Sequence, residues 1–261
     1  MQIEPTFKAY LSRAISERPI PLDQVDVQER RKAVAQSRAS LITNAPQSVS
    51  VEEATFSHAG HSVPGLLFRN THWSGARPVI LYFHGGGWMY GSPEQSAELA
   101  YLYALETGAT VVSPKYRLTP EHPFPAAFDD CYSTLLWVDT HLDDLGGSAA
   151  KIVVAGESAG GNLAAAVCLK ARDSAGPTIS LQLLNYPALS LNFKSESYVR
   201  NANAPILSSR EMCFFWENYL GNGLINQQPY SVPLLAKSFV GLPPAHVIVA
   251  EHDPLLDDGI A

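Results

Sequence analysis

No stretch of this chain is apolar for the ~20 residues that a membrane span requires, and the opening MQIEPTFKAYLSRAISERP has no apolar segment of the signal-peptide kind. No membrane partner is expected. Cysteine is scarce. Cys131, Cys168 and Cys213 are an odd set whose spacings fit no metal or redox motif. They read as reduced, mostly buried thiols, so a reducing compartment and a cytoplasmic location are expected. Basic residues are also in deficit, with 18 Lys and Arg against 25 Asp and Glu and a net charge of −7. Such a chain gains nothing from a polyanion, and nucleic acid is not expected as a partner. The Arg30-Arg31-Lys32 run reads as a solvated helix face. Repeats and low-complexity segments are missing too. What remains is 261 residues with 46% hydrophobic content, enough for one large domain with a sizeable core.

Residues 5 to 18 place Phe7, Tyr10, Leu11, Ala14 and Ile15 at helical spacing before Pro19 and Pro21. A second surface helix is expected before residue 45. From residue 49 the pattern changes. SVSVEEATFSH and SVPGLLFRN read as two strands joined at Ala59-Gly60. RPVILYFHG, TVVSPKYR, KIVVAGES and SLQLLNYPAL read as strands buried on both faces, and AHVIVAEHD (245 to 253) as a last strand. Between them, AAFDDCYSTLLWVDTHL carries Ala127, Cys131, Leu135 and Val138 on one helical face, and SAGGNLAAAVCLKARD is a further helix. Strands alternating with helices predict an α/β fold with a mainly parallel sheet and helices on both faces. In such sheets, sites form at the C-terminal ends of the strands.

Two motifs sit at strand ends. Gly156-Glu157-Ser158-Ala159-Gly160 is a G-x-S-x-G between a strand and a helix. That is the context of a nucleophile elbow, in which a strained turn projects the serine hydroxyl above the sheet. A glycine-rich turn before a helix would read the same way. His84-Gly85-Gly86-Gly87-Trp88 follows an earlier strand. Consecutive glycines let main-chain N–H groups approach a ligand closely. With the N–H of Ala159, they offer donors for the oxygen that turns negative when an ester carbonyl is attacked. A nucleotide loop would need G-K-[ST] or G-x-G-x-x-G spacing, and neither is present.

HGGGW, YRLTPEHPFPAAFDD (116 to 130), GESAGGNLAAA and AEHDPLLDDG, in that order, resemble the hormone-sensitive-lipase family of bacterial carboxylesterases across nearly the whole chain. The resemblance implies an α/β-hydrolase fold with a helical cap. Residues 1–48 and 190–232 match the cap; 49–189 and 233–261 match the catalytic domain. It implies Ser158 as nucleophile, Asp253 as the acid that orients a catalytic histidine, and Gly86, Gly87 and Ala159 as oxyanion donors. The partner it implies is a small-molecule ester of short or medium acyl chain, without metal or organic cofactor. Trp88, Tyr90, Phe214 and Phe215 are candidate pocket residues; Trp88 and Tyr90, next to the glycine loop, are better placed to touch substrate, and some of Phe214, Phe215 and Trp216 read first as packing for a cap helix. The family motif usually reads DPLRDEG, so Leu256 stands where arginine is usual.

One departure is larger. The family's histidine lies some tens of residues beyond the aspartate, and eight residues follow Asp253 in this sequence. The eight histidines present give no evident substitute: His84 and His122 fall inside matched motifs, His58 and His61 at a strand turn, His72 and His141 on the surface, and His246 and His252 in the last strand. Two alternatives therefore stand beside the enzyme: a catalytically inactive member, and a module that holds a small ligand in the same pocket. The strand at 246 to 250 is also expected to leave an exposed edge, through which the chain would self-associate.

Overall fold

A computed structural model describes residues 24–38, 44–146, 151–221 and 223–261, together with Ser12 and Ile42. The helix expected over residues 5 to 18 lies outside the described residues. Among the described residues, seven strands form one sheet in the order β1-β2-β4-β3-β5-β6-β7. Strands β1 (Val49–His58) and β2 (His61–Asn70) make an antiparallel hairpin that turns at Ala59 and Gly60. Strand β2 pairs antiparallel with β4 (Thr110–Pro114). The remaining pairs are parallel: β4 with β3 (Val79–Phe83), β3 with β5 (Ile152–Glu157), β5 with β6 (Ile179–Asn185), and β6 with β7 (Ala245–Ile248).

The alternation of side chains along each strand divides the core in two. Val79, Leu81 and Phe83 of β3 face one layer, with Ala127, Cys131, Leu135 and Val138 of the helix Ala126–Thr140 and the small residues of the helix Ala159–Asp173. Ile80 and Tyr82 face the other layer, with Ala97, Ala100, Tyr101 and Ala104 of α2. Helix α2 is Ala97–Thr107, α3 is Ala126–Thr140 and α5 is Ala159–Asp173, while the short α4 (Leu142–Gly146) follows α3. All five residues of β3 are buried, as a central strand between two helical layers requires. The α3 face expected from spacing is fully buried.

Two expectations need correction. Helix α2 was not anticipated, although its four buried residues recur at i, i+3, i+4 and i+7. Apolar residues also surround that stripe, so the helix lacks a contrasting polar face. The last strand is shorter than expected: it ends at Ile248, and residues 251 and 252 turn.

Helix α1 (Val27–Arg38) is not simply a solvated face. The Arg31 guanidinium donates to the carbonyls of Met89 (2.9 Å) and Thr119 (2.6 Å) and to both oxygens of Glu121 (2.8 and 2.9 Å). A planar donor fork suits that bidentate arrangement. It fixes α1 across the segment after the glycine loop. Between β6 and β7 lie α6 (Glu196–Arg200) and α7 (Ser209–Leu220). A capping box starts α7: the Ser208 hydroxyl accepts from Glu211 N, and the Glu211 carboxylate accepts from Ser208 N. The short α8 (Leu256–Ile260) follows β7.

Candidate active site

Ser158 occupies the turn between β5 and α5 with φ 54° and ψ −117°, a conformation that L-residues rarely adopt. Such a turn closes only if its neighbours are small. A Cβ on Gly160 would lie 2.1 Å from the Phe83 carbonyl oxygen, and one on Gly156 would lie 2.2 Å from the Gly160 carbonyl oxygen. The strain is held by the sheet on one side and by Ser158 N donating to Asn185 O at 2.9 Å on the other. The N-terminus of α5 directs its free N–H groups and positive dipole end to the same place.

The glycine loop leaves β3 beside this turn. Gly86 and Gly87 have φ of 120° and 61°, and a Cβ on Gly86 would collide with the Tyr90 carbonyl at 2.2 Å. The loop's first residue, His84, is fully buried. Its ring stacks on Tyr116 at 4.2 Å, and its Nδ1 lies 2.8 Å from Gly85 O and 3.1 Å from Tyr116 Oη. Burial lowers its pKa to about 4, so it stays neutral. Tyr116 opens the YRLTPEHPFPAAFDD segment, whose two ends are tied together by Arg117 and Asp130. Buried Asp130 accepts from Arg117 N (2.8 Å), from the Arg117 guanidinium and from His61 Nε2 (2.7 Å).

A cavity of about 410 Å³ opens above the strand ends. Ser158, Asp253, Gly86, Gly87, Tyr90 and Phe215 all line it. Asp253 follows the turn after β7. Burial raises its pKa, and the Leu255 N–H bound to its Oδ1 at 2.8 Å works against that rise. Ala159 is buried directly behind Ser158. Trp88 does not line the cavity: it is fully buried, stacked on Tyr219 at 4.2 Å and against Trp216 at 4.5 Å. Phe214 is also outside the lining and packs against the core beside Phe215. In each aromatic pair the structure separates a pocket residue from a packing residue.

Several lining residues escaped sequence reasoning. Arg30 and Val34 come from α1, Gln95 follows the glycine loop, and Ile206 and Leu207 precede α7. They reach the cavity only through tertiary packing, and no local motif marks them. Glu157 and Tyr186 also line it; Glu157 is the second residue of the G-x-S-x-G, and Tyr186 belongs to a stretch read only as a strand. No histidine lines the cavity among the described residues.

A model of the α/β-hydrolase fold matches residues 80–261. This chain belongs to that family. Its relatives lie in the hormone-sensitive-lipase-like branch that the motifs resemble. It is 37% identical to carboxylesterase NlhH of Mycobacterium tuberculosis over 233 residues, covering 87% of this chain and 73% of that protein. It is 42% identical to esterase LipI of the same organism over 184 residues, covering 70% of this chain and 58% of that one. Among solved structures, a thermostable esterase from Pseudomonas putida superposes with a TM-score of 0.90 at 32% identity, covering 99% of this chain and 81% of that chain. The mainly parallel sheet is therefore the family's architecture. No helix among the described residues is long and apolar enough to cross a membrane.

Proposed function

We propose that this chain is a carboxylesterase that cleaves esters of short to medium acyl chain through Ser158. The observation that carries the reading is the strained Ser158 turn, which shares one cavity with Gly86, Gly87 and Asp253. Ser158 Oγ attacks the ester carbonyl. The bond to the alcohol breaks, the acyl group stays on Oγ, and water later releases it. The N–H groups of Gly86, Gly87 and Ala159 receive the oxygen that becomes negative, and α5 adds its dipole. Tyr90 and Phe215 give the acyl chain an apolar wall. Asp253 is the orienting acid for a histidine that moves the protons. Of the segments assigned to the cap, 1–48 and 190–232, Arg30, Val34, Ile206, Leu207 and Phe215 line this pocket. The reading needs no metal or organic cofactor. The free cysteines, two of them buried, support a cytoplasmic setting.

No histidine lines the cavity among the described residues, and turnover by these residues alone is expected to be slow. Loss of a triad histidine can cost roughly 10⁶-fold, and the oxyanion hole with binding can leave ~10³-fold over water. Hydrolysis of p-nitrophenyl acetate and butyrate tests this. Low turnover that disappears in Ser158→Ala is the expected result. Turnover unchanged in Ser158→Ala overturns the reading, and tight ligand binding without turnover favours a binding module instead.

We further propose that β7 pairs with a second copy of this chain. Its four residues are exposed: Val247 and Ile248 present 38% and 47% of their surface, and Val249, just beyond the strand, 37%. An open apolar edge offers unpaired N–H and C=O groups to another strand.

A further inference from the structure

Glu157 ends β5 and immediately precedes Ser158. Its carboxylate collects donors from three separate places. Tyr82 Oη of β3 donates to Oε1 at 3.0 Å. The main-chain N–H of Gly85, the first glycine of the loop, donates to the same oxygen at 3.3 Å. Tyr186 Oη, just beyond β6, donates to Oε2 at 2.8 Å. Gly85 also packs directly on this side chain, since a Cβ there would lie 3.1 Å from Glu157 Cγ.

Both phenols are fixed donors. Burial first, and the Glu157 charge second, push their pKa values far above the ordinary tyrosine range. Neither is a proton acceptor near neutral pH, so Tyr186 is no substitute for a histidine. A carboxylate that only satisfied buried tyrosines would not need the third donor. That donor belongs to the loop whose N–H groups must be aimed before reaction, and a glycine run has more backbone freedom to lose than any other sequence.

We propose that Glu157 is a positioning residue whose carboxylate ties the Gly85–Gly87 loop to the Ser158 turn and so aims the oxyanion donors. The proposal rests on the ester-hydrolysis reading above. Three neutral donors also spread the carboxylate's charge and hold it in one place beside the turn.

The test compares wild type, Glu157→Ala, Glu157→Gln and Ser158→Ala by two readouts. The first is kcat and KM for p-nitrophenyl butyrate. The second is the ¹⁵N-glycine spectrum, which 18 glycines keep assignable. In Glu157→Ala, kcat should fall about 10–100-fold with KM nearly unchanged, short of the ~10²–10³-fold cost of deleting an oxyanion donor outright. The Gly85, Gly86 and Gly87 signals should shift or broaden while Gly60 and Gly241 stay in place. Glu157→Gln keeps one acceptor oxygen and should recover most of both. Unmoved loop signals in Glu157→Ala, or kcat within twofold of wild type, overturn the proposal. Equal loss in the Ala and Gln variants, with the loop signals unmoved in both, does so as well. Turnover indifferent to Ser158→Ala instead removes the esterase reading, and the glycine spectrum alone then decides whether the tether exists.

Discussion

Strands β3 and β7 are both short and apolar in sequence, VILYF and AHVI, yet they meet opposite environments. Every residue of β3 is buried, and every residue of β7 is exposed. The difference lies in the neighbours. Strand β3 has β4 and β5 on its flanks and a helical layer on each face, whereas among the described residues β7 pairs with one strand, β6. An apolar run marks a strand, but only the completed sheet decides how much that strand contributes. The site follows the same division: the glycine loop and the Ser158 turn grow from the packed centre, and Asp253 hangs from the open side.

The largest effect should come from breaking the centre at its tightest point. Gly160→Val places a side chain 2.1 Å from a backbone carbonyl of the loop's parent strand, and the chain should lose cooperative unfolding altogether. Circular dichroism melting checks it. Next, Leu81→Ala in β3 should cost about 2–5 kcal/mol by chemical denaturation, the range for a fully buried leucine. Val247→Thr in β7 should change stability by less than about 0.5 kcal/mol, as exposed sites usually do. Similar losses at the two positions would remove the contrast.

The two sides should also respond oppositely to pH. Neutral His84, at about 4, lies below its ordinary 6.5. The unfolded chain therefore binds a proton that the folded chain refuses, and stability is lost as pH falls from about 6.5 to 4. The full shift is worth about 3 kcal/mol. The advantage of wild type over His84→Asn should shrink across that window. Asp258, beyond β7, is buried and accepts N–H bonds from Leu189 and Ser190 at 2.9 and 3.0 Å, and burial lifts its pKa to about 7. The folded chain keeps a proton that the unfolded chain releases, so stability is lost as pH rises from about 4 to 7. Asp258→Asn should flatten that loss. The smallest effect on stability belongs to Val247→Lys: unfolding stays within about 0.5 kcal/mol of wild type, while light scattering shows weaker association. A monodisperse wild-type monomer at high concentration would contradict the edge proposal.

The packed centre was the more legible region. Ala127, Cys131, Leu135 and Val138 were readable as one face because strong periodicity coincides with burial. The Ser158 turn was readable because its strain demands small neighbours in fixed places. Helix α2 was not, because apolar residues around it mask the periodic stripe. Trp88 was misjudged because adjacency to the glycine loop says nothing about side-chain direction, and its positive φ of 56° turns the ring into the core. The sides of the cavity supplied by α1 and by Ile206 and Leu207 depend on packing between distant segments, which no local pattern encodes.

The central claim is that Ser158 takes up an acyl group from an ester. Peptide mapping by mass spectrometry after incubation with p-nitrophenyl acetate reads this directly. The account predicts acetyl on the peptide containing Ser158 and none there in Ser158→Ala. Acetyl found only on other residues, with p-nitrophenol release equal in the two proteins, would contradict it.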